Sequence, residues 1–146
     1  GVPAMRTLLA PATTDAYIST YLQALHTTRH LAVSSRRGVT LCTLDATRRC
    51  SGRWAQRLTL FFDDARRGEL LDPDNLIAEA HVSTGEPLTV TWRGFGERRF
   101  LHARANGSYR QNGRFTFCPA AGRTGSGRQL VVNVTGRVRV ERMVCP

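Results

Sequence analysis

Apolar and polar residues change rhythm once along this chain, at Gly38. Before it the spacing is helical. Tyr17, Tyr21 and Leu25 recur at i, i+4 and i+8, with Ile18 and Leu22 alongside, and together they make one apolar stripe. The stripe predicts a helix over Thr14–Ser35. Arg29, Arg36 and Arg37 gather towards its C-terminal end, where positive charge complements the helix dipole, and Gly38 reads as the stop. After Gly38 the spacing is that of short strands: Val39–Leu44, Arg57–Phe62, Leu76–Val82, Leu88–Arg93, Phe100–Ala103 and Arg114–Cys118. Turn residues separate them at Asp45–Gly52, Gly85-Glu86-Pro87, Gly94–Gly96, Asn106-Gly107 and Asn112-Gly113. Ala120–Gly127 reads as a glycine-rich surface loop.

The last two strands carry the most distinctive pattern. Leu130–Val134 is apolar and β-branched, Asn133–Gly136 permits a sharp reversal, and Val138 and Val140 then alternate with Arg137, Arg139 and Glu141. Alternate side chains of a strand face opposite ways, so the valines can pack inward while Arg137 and Arg139 stand outside. Two residues along a strand span roughly 6.6 Å, close to the step between successive phosphates of one nucleic-acid strand. Guanidinium forks at that spacing can grip a phosphate backbone. The expected fold class is α+β, an N-terminal helix packed on antiparallel β-sheet of about seven or eight short strands. One domain is expected over 1–146, with the helix in 1–37 and the β-rich part in 38–146; there is no internal repeat.

Charge sharpens this picture. The chain has 146 residues and a net charge of +10, and all 21 basic residues are arginine. That excess predicts attraction to polyanions, whether nucleic acid, lipopolysaccharide or an anionic membrane. No stretch is long enough to span a membrane as it stands. Chemistry beyond charge is sparse. His26 and His30 lie one helical turn apart, but no acidic general base sits between them as a zinc protease helix requires. Asp63–Asp74 has the acidity of a calcium loop, yet its third and fifth positions are Ala65 and Arg67, and arginine cannot ligate a cation. Asp63 and Asp64 are adjacent carboxylates without a histidine or serine in a recognisable motif. No catalytic residue, metal site or cofactor is therefore expected.

Cys42, Cys50, Cys118 and Cys145 form no Cys-x-x-Cys pair, which favours disulfides over zinc and an oxidising compartment. Four cysteines allow three pairings. The favoured one joins Cys42 to Cys50 across a short hairpin, and Cys118 to Cys145 between the last strand and an earlier one.

Several segments, in order, resemble the GspH/FimT minor pseudopilins of the type IV pilin class. Gly1-Val-Pro3 resembles the point just past a pilin's hydrophobic anchor. Leu25–Ala32 with Arg36 and Val39-Thr-Leu-Cys42 is similar to the family's helix end. Cys50-Ser-Gly52 with Trp54, Leu60–Asp64 and Gly68–Asp72 are similar to its tryptophan turn, strand and acidic turn. Phe115–Cys118, Leu130–Val134 and Gly136–Arg139 are similar to its last three strands. The resemblance implies an absent prepilin leader and anchor helix, and an inner-membrane precursor with a periplasmic domain that is assembled into an extracellular filament beside other major and minor pilins. Pro11 falls where the family builds one continuous helix, so a kink or break is expected there. The Gly-Arg-x-Arg pattern at Gly136, Arg137 and Arg139 is similar to that of the FimT branch. It implies a receptor for double-stranded DNA in natural transformation. Arg142, Arg128 and Arg123 are added as neighbours on charge grounds. The rival expectation is a structural minor pseudopilin of a pilus tip or type II secretion system with no dedicated role in DNA binding.

Overall fold

The computed structural model of the chain describes residues 2–83, 87–119 and 125–146, with side chains from residue 13 onward. The turn predicted at Gly85-Glu86 lies outside them. Helix α1 spans Val2–Ser35, and helical backbone continues through Pro11, so the expected break is absent. Proline's fixed φ is itself helical; what it removes is one N–H donor. Gly38 is not the stop either. Arg36 adopts a left-handed φ of 54°, its N–H bonds to the Val33 carbonyl, and the Arg37 N–H reaches back to the Ala32 carbonyl. This is a Schellman ending with arginine in the position that glycine usually fills. Gly38 is small for another reason, since a Cβ there would lie 2.6 Å from His102 Nε2.

The rest of the chain forms two four-stranded antiparallel sheets. The first joins β1 (Val39–Cys42), β2 (Arg57–Phe62), β3 (Leu76–His81) and β5 (Leu101–Ala103) in the order β3-β2-β1-β5. The second joins β4 (Thr89–Gly94), β6 (Gly113–Cys118), β7 (Gly125–Val132) and β8 (Val138–Cys145) in the order β4-β6-β7-β8. β3 and β4, neighbours in sequence, therefore belong to different sheets. β7 begins at Gly125, so the end of the predicted 120–127 loop is strand.

The helix stripe packs where the two sheets meet. Tyr17, Tyr21 and Leu25 are fully buried. The Tyr21 ring meets Phe115 and Phe117 edge-on, with centroids 5.3 and 5.0 Å apart. Trp54 and Trp92 each lie 4.7 Å from Phe115. Buried phenols need acceptors: Tyr21 Oη donates to the Ala55 carbonyl and Tyr109 Oη to the Leu25 carbonyl, both at 2.6 Å. Burial pushes both phenols far above their usual range, so they remain neutral donors.

Disulfides join Cys42 to Cys50 and Cys118 to Cys145. The second links β6 to β8 across the strand between them. It passes over Gly127 of β7, where any Cβ would overlap the Cys145 sulfur and lie 2.7 Å from the Phe117 carbonyl oxygen.

Beneath the first sheet's end, Asp63 and His102 form a buried polar pair. The Asp63 carboxylate accepts from Thr40 Oγ1 at 2.8 Å and from the Arg67 and Gly68 N–H groups, both at 2.9 Å. His102 Nε2 lies 2.9 Å from the Asp63 carbonyl oxygen, and its Nδ1 lies 3.2 Å from Arg110 Nε. Desolvation holds this imidazole below its ordinary pKa of 6.5, against the bond to Asp63, with Arg110 and Arg66 adding cationic repulsion. The unfolded state then takes up the proton first. His102 should support the fold fully above pH 6.5 and progressively less as pH falls below it. Thermal melts at pH 7.5 and 5.5 should record that loss, and His102→Gln should flatten it; an unchanged slope in the variant would assign the effect to other groups.

Candidate functional site

The closing hairpin is fixed from three directions. The Tyr109 N–H donates to the Val134 carbonyl at 2.8 Å, and the Val134 N–H donates to Asn112 Oδ1 at 2.7 Å. Within the turn, the Gly136 N–H bonds to the Asn133 carbonyl, and the Asn133 N–H to the Arg137 carbonyl. Gly136 has φ +90°, and a Cβ on it would overlap the Arg29 guanidinium. Arg29 reaches there from α1 and donates from Nε to the Gly107 carbonyl at 2.8 Å. Gly136 is thus required twice, for its left-handed backbone and for the arginine packed against it. Arg137, the next residue, is exposed, and no described carboxylate pairs with it.

Strand register assembles the outer face of the second sheet. Arg93 of β4 opposes Arg114 of β6, Arg114 opposes Val131 of β7, and Val131 opposes Arg139 of β8. Three arginines therefore share one row across four strands, spanning about 14 Å at the usual strand spacing. Strand alternation continues this face to Arg137. Arg93, Arg114 and Arg139, with Arg98 from the loop after β4, border a cavity of 830 Å³ whose single carboxylate among the described residues is Glu141. Glu141 is committed. It accepts from Gln129 Nε2 and pairs with Arg139 Nε, both at 2.7 Å, and these two contacts hold its carboxyl below the usual range. Phe95 stands 89% exposed at the rim.

The expected site residues divide. Arg137 and Arg139 lie with Arg93 and Arg114. Arg128 and Arg142 oppose each other in register but belong to the other face, on the side of Leu130, Val132 and Val138. Arg128 there approaches Asp15 of α1 at 3.8 Å. Of the residues added on charge grounds, Arg128 and Arg142 therefore do not share a face with Arg137 and Arg139. Arg123 lies outside the described residues. Arg93 and Arg114 escaped sequence reading because they are distant in the chain; their signal is that each alternates with a buried aromatic, Trp92 or Phe115. Asp63 and Asp64 both serve the fold. Asp63 is consumed as described above, and Asp64 accepts from Arg37 at 2.7 Å and from the Gly38 N–H at 3.2 Å. His26 and His30 are exposed on α1.

The family model for the type II transport protein GspH matches residues 18–136. The chain belongs to the GspH family.

Solved structures agree with that family in fold. The type IV minor pilin FimU of Pseudomonas aeruginosa, in two crystal forms, superposes with TM-scores of 0.61 and 0.62 at 23% and 25% identity. Those matches cover 94% and 87% of this chain and 90% of FimU each time. The minor pseudopilin EpsH from the type 2 secretion system of Vibrio cholerae superposes with a TM-score of 0.54 at 15% identity, over 86% of this chain and 95% of EpsH. No curated protein gave a significant match. Membership of the GspH family makes this chain a minor pilin or pseudopilin and implies an inner-membrane-anchored precursor assembled into a pilus. No helix among the described residues is long and apolar enough to cross a membrane. The GspH match ends at Gly136, so Arg137 and Arg139 lie just beyond it.

Proposed function

We propose that this chain is the filament-exposed domain of a FimT-like minor pilin that binds double-stranded DNA without sequence preference, for uptake in natural transformation. The observation that supports this reading is the row Arg93, Arg114 and Arg139, continued by Arg137 on a firmly anchored turn and opposed by one carboxylate. Phosphate contacts of this kind hold a duplex without reading bases. The anchored turn reduces the ordering entropy lost on binding. Oxidation of both cysteine pairs fits display in the periplasm and outside the cell.

Fluorescence anisotropy of labelled duplex DNA tests this. About three neutralised phosphates would weaken binding roughly 40-fold between 50 and 200 mM salt. Arg137→Gln with Arg139→Gln, and separately Arg93→Gln with Arg114→Gln, should each lower affinity about tenfold at low salt and flatten the salt slope by about 0.9 per lost contact. Arg53→Gln with Arg57→Gln removes two exposed arginines elsewhere and should change affinity by less than about twofold. Equal losses in all three variants would replace the interface with a generally basic coat.

A second reading, a structural minor pseudopilin whose partners are other pilins, draws on one contact. Glu141 already neutralises Arg139. Glu141→Gln separates the two readings, since it should strengthen duplex binding severalfold if the row is the interface and leave a structural pilin unaffected.

A further inference from the structure

A second cavity, of 410 Å³, lies beside the first and shares Phe95 and Asn112 with it. Arg66, Arg110, His102 and Glu97 also line it. Its chemistry is unusually one-sided. The floor is His102, only 4% exposed. A carbonyl oxygen can only accept, so the 2.9 Å contact with Asp63 assigns the ring proton to Nε2. Nδ1 is then the acceptor for Arg110 Nε at 3.2 Å. Two fixed partners set the tautomer, and the tautomer sets the orientation of the Arg110 guanidinium. Asp63 is itself anchored through its carboxylate by Thr40, Arg67 and Gly68. A chain of buried and partly buried bonds therefore runs from the first sheet to one arginine at the surface.

That arginine has donors left over. No described protein acceptor takes the two terminal nitrogens of Arg110, and none takes the guanidinium of Arg66. The cavity's one carboxylate cannot serve. Glu97 Oε1 pairs with Arg99 Nη2 at 2.6 Å, and Oε2 accepts from Arg99 Nε at 3.0 Å and from the Arg98 and Arg99 N–H groups. Asn112 uses its amide oxygen on the Val134 N–H, which leaves its NH₂ as a donor. Gln111 donates from Nε2 to the Glu97 carbonyl oxygen at 2.6 Å, which leaves its Oε1 as the one spare side-chain acceptor among the described lining residues, and the two guanidinium groups are uncompensated.

We propose that this cavity is a distinct anion site, which takes a phosphate group between Arg66 and Arg110. A tetrahedral, acceptor-only ligand with several oxygens matches two guanidinium forks and an amide donor. The group can come from a free phosphate or monoester, or from the backbone of a nucleic acid continuing from the neighbouring arginine row.

The test is a titration of ¹⁵N-labelled protein with sodium phosphate at constant ionic strength, followed by NMR at Arg110 Nε and the His102 ring nitrogens. Saturable shifts confined to these atoms are expected, with binding about tenfold weaker in Arg66→Gln and in Arg110→Gln. Arg66 is exposed, so its variant should keep the fold even if Arg110→Gln disturbs His102. Equal shifts at all arginines, or no weakening in Arg66→Gln, would overturn the proposal. A second titration with duplex DNA distinguishes the sources. The same resonances will move if backbone phosphates reach the cavity and stay still if only small phosphates do. Failure of duplex binding with intact phosphate binding would remove the DNA reading and leave this site standing.

Discussion

Phe115→Ala should cost about 3–5 kcal/mol of stability, the range for removing a large buried aromatic. Phe115 is fully buried and meets Tyr21, Trp54, Trp92 and Phe117, so it touches the helix, the loop after β1 and two strands of the second sheet. These rings hold one another from several sides, which limits collapse into the vacated space. For a chain of this length the loss corresponds to a fall in Tm of roughly 10–15 °C. The adjacent residue gives the contrast. Arg114 faces outward on the same strand, and Arg114→Gln should change stability by less than about 0.5 kcal/mol while weakening duplex binding. Urea unfolding of both variants, read by circular dichroism, checks the pair. A Phe115→Ala loss below about 1.5 kcal/mol would mean that the core repacks around the hole.

The Cys118–Cys145 bridge should matter more than its shorter counterpart. The two bridges close loops with sequence separations of 27 and 8 residues. Loop-closure entropy predicts losses of about 3.5 and 2.5 kcal/mol when each is replaced by serines. The longer bridge has a second effect, because β8 is an edge strand held to the sheet only through β7. Without the bridge its C-terminal end has β7 alone as partner, and Arg139 and Glu141 lose a rigid mount. Cys118→Ser with Cys145→Ser should therefore lower both Tm and duplex affinity, whereas Cys42→Ser with Cys50→Ser should lower Tm and leave affinity unchanged. Melts and anisotropy on both double variants decide it. Equal affinity losses would indicate global loosening in place of a hairpin effect.

These expectations show how far local pattern reaches. The helical stripe of Tyr17, Tyr21 and Leu25 was legible because burial of one helix face imposes its own period. The closing strands were legible because valine and arginine alternate with the pleat. Gly136 was legible as a turn residue, but its contact with Arg29 was not, since more than a hundred residues of chain separate them. Gly38 read as a helix stop, whereas Arg36 ends the helix; a left-handed arginine leaves no mark in composition, and the glycine answers to His102.

By itself the sequence determined what depends on neighbours along the chain: a helix followed by short antiparallel strands, a basic chain without metal-ligating motifs, and an ordered set of segments that resembles one family. Tertiary structure alone decided the rest. It sorted the strands into two sheets, brought Arg93 and Arg114 beside Arg139, turned Arg128 and Arg142 to the opposite face, and set His102 behind Arg110. The physical reason is that cross-strand register and sheet order are settled by packing around Tyr21 and Phe115, between residues far apart in sequence. A surface patch, unlike a helix stripe, has no period of its own along the chain.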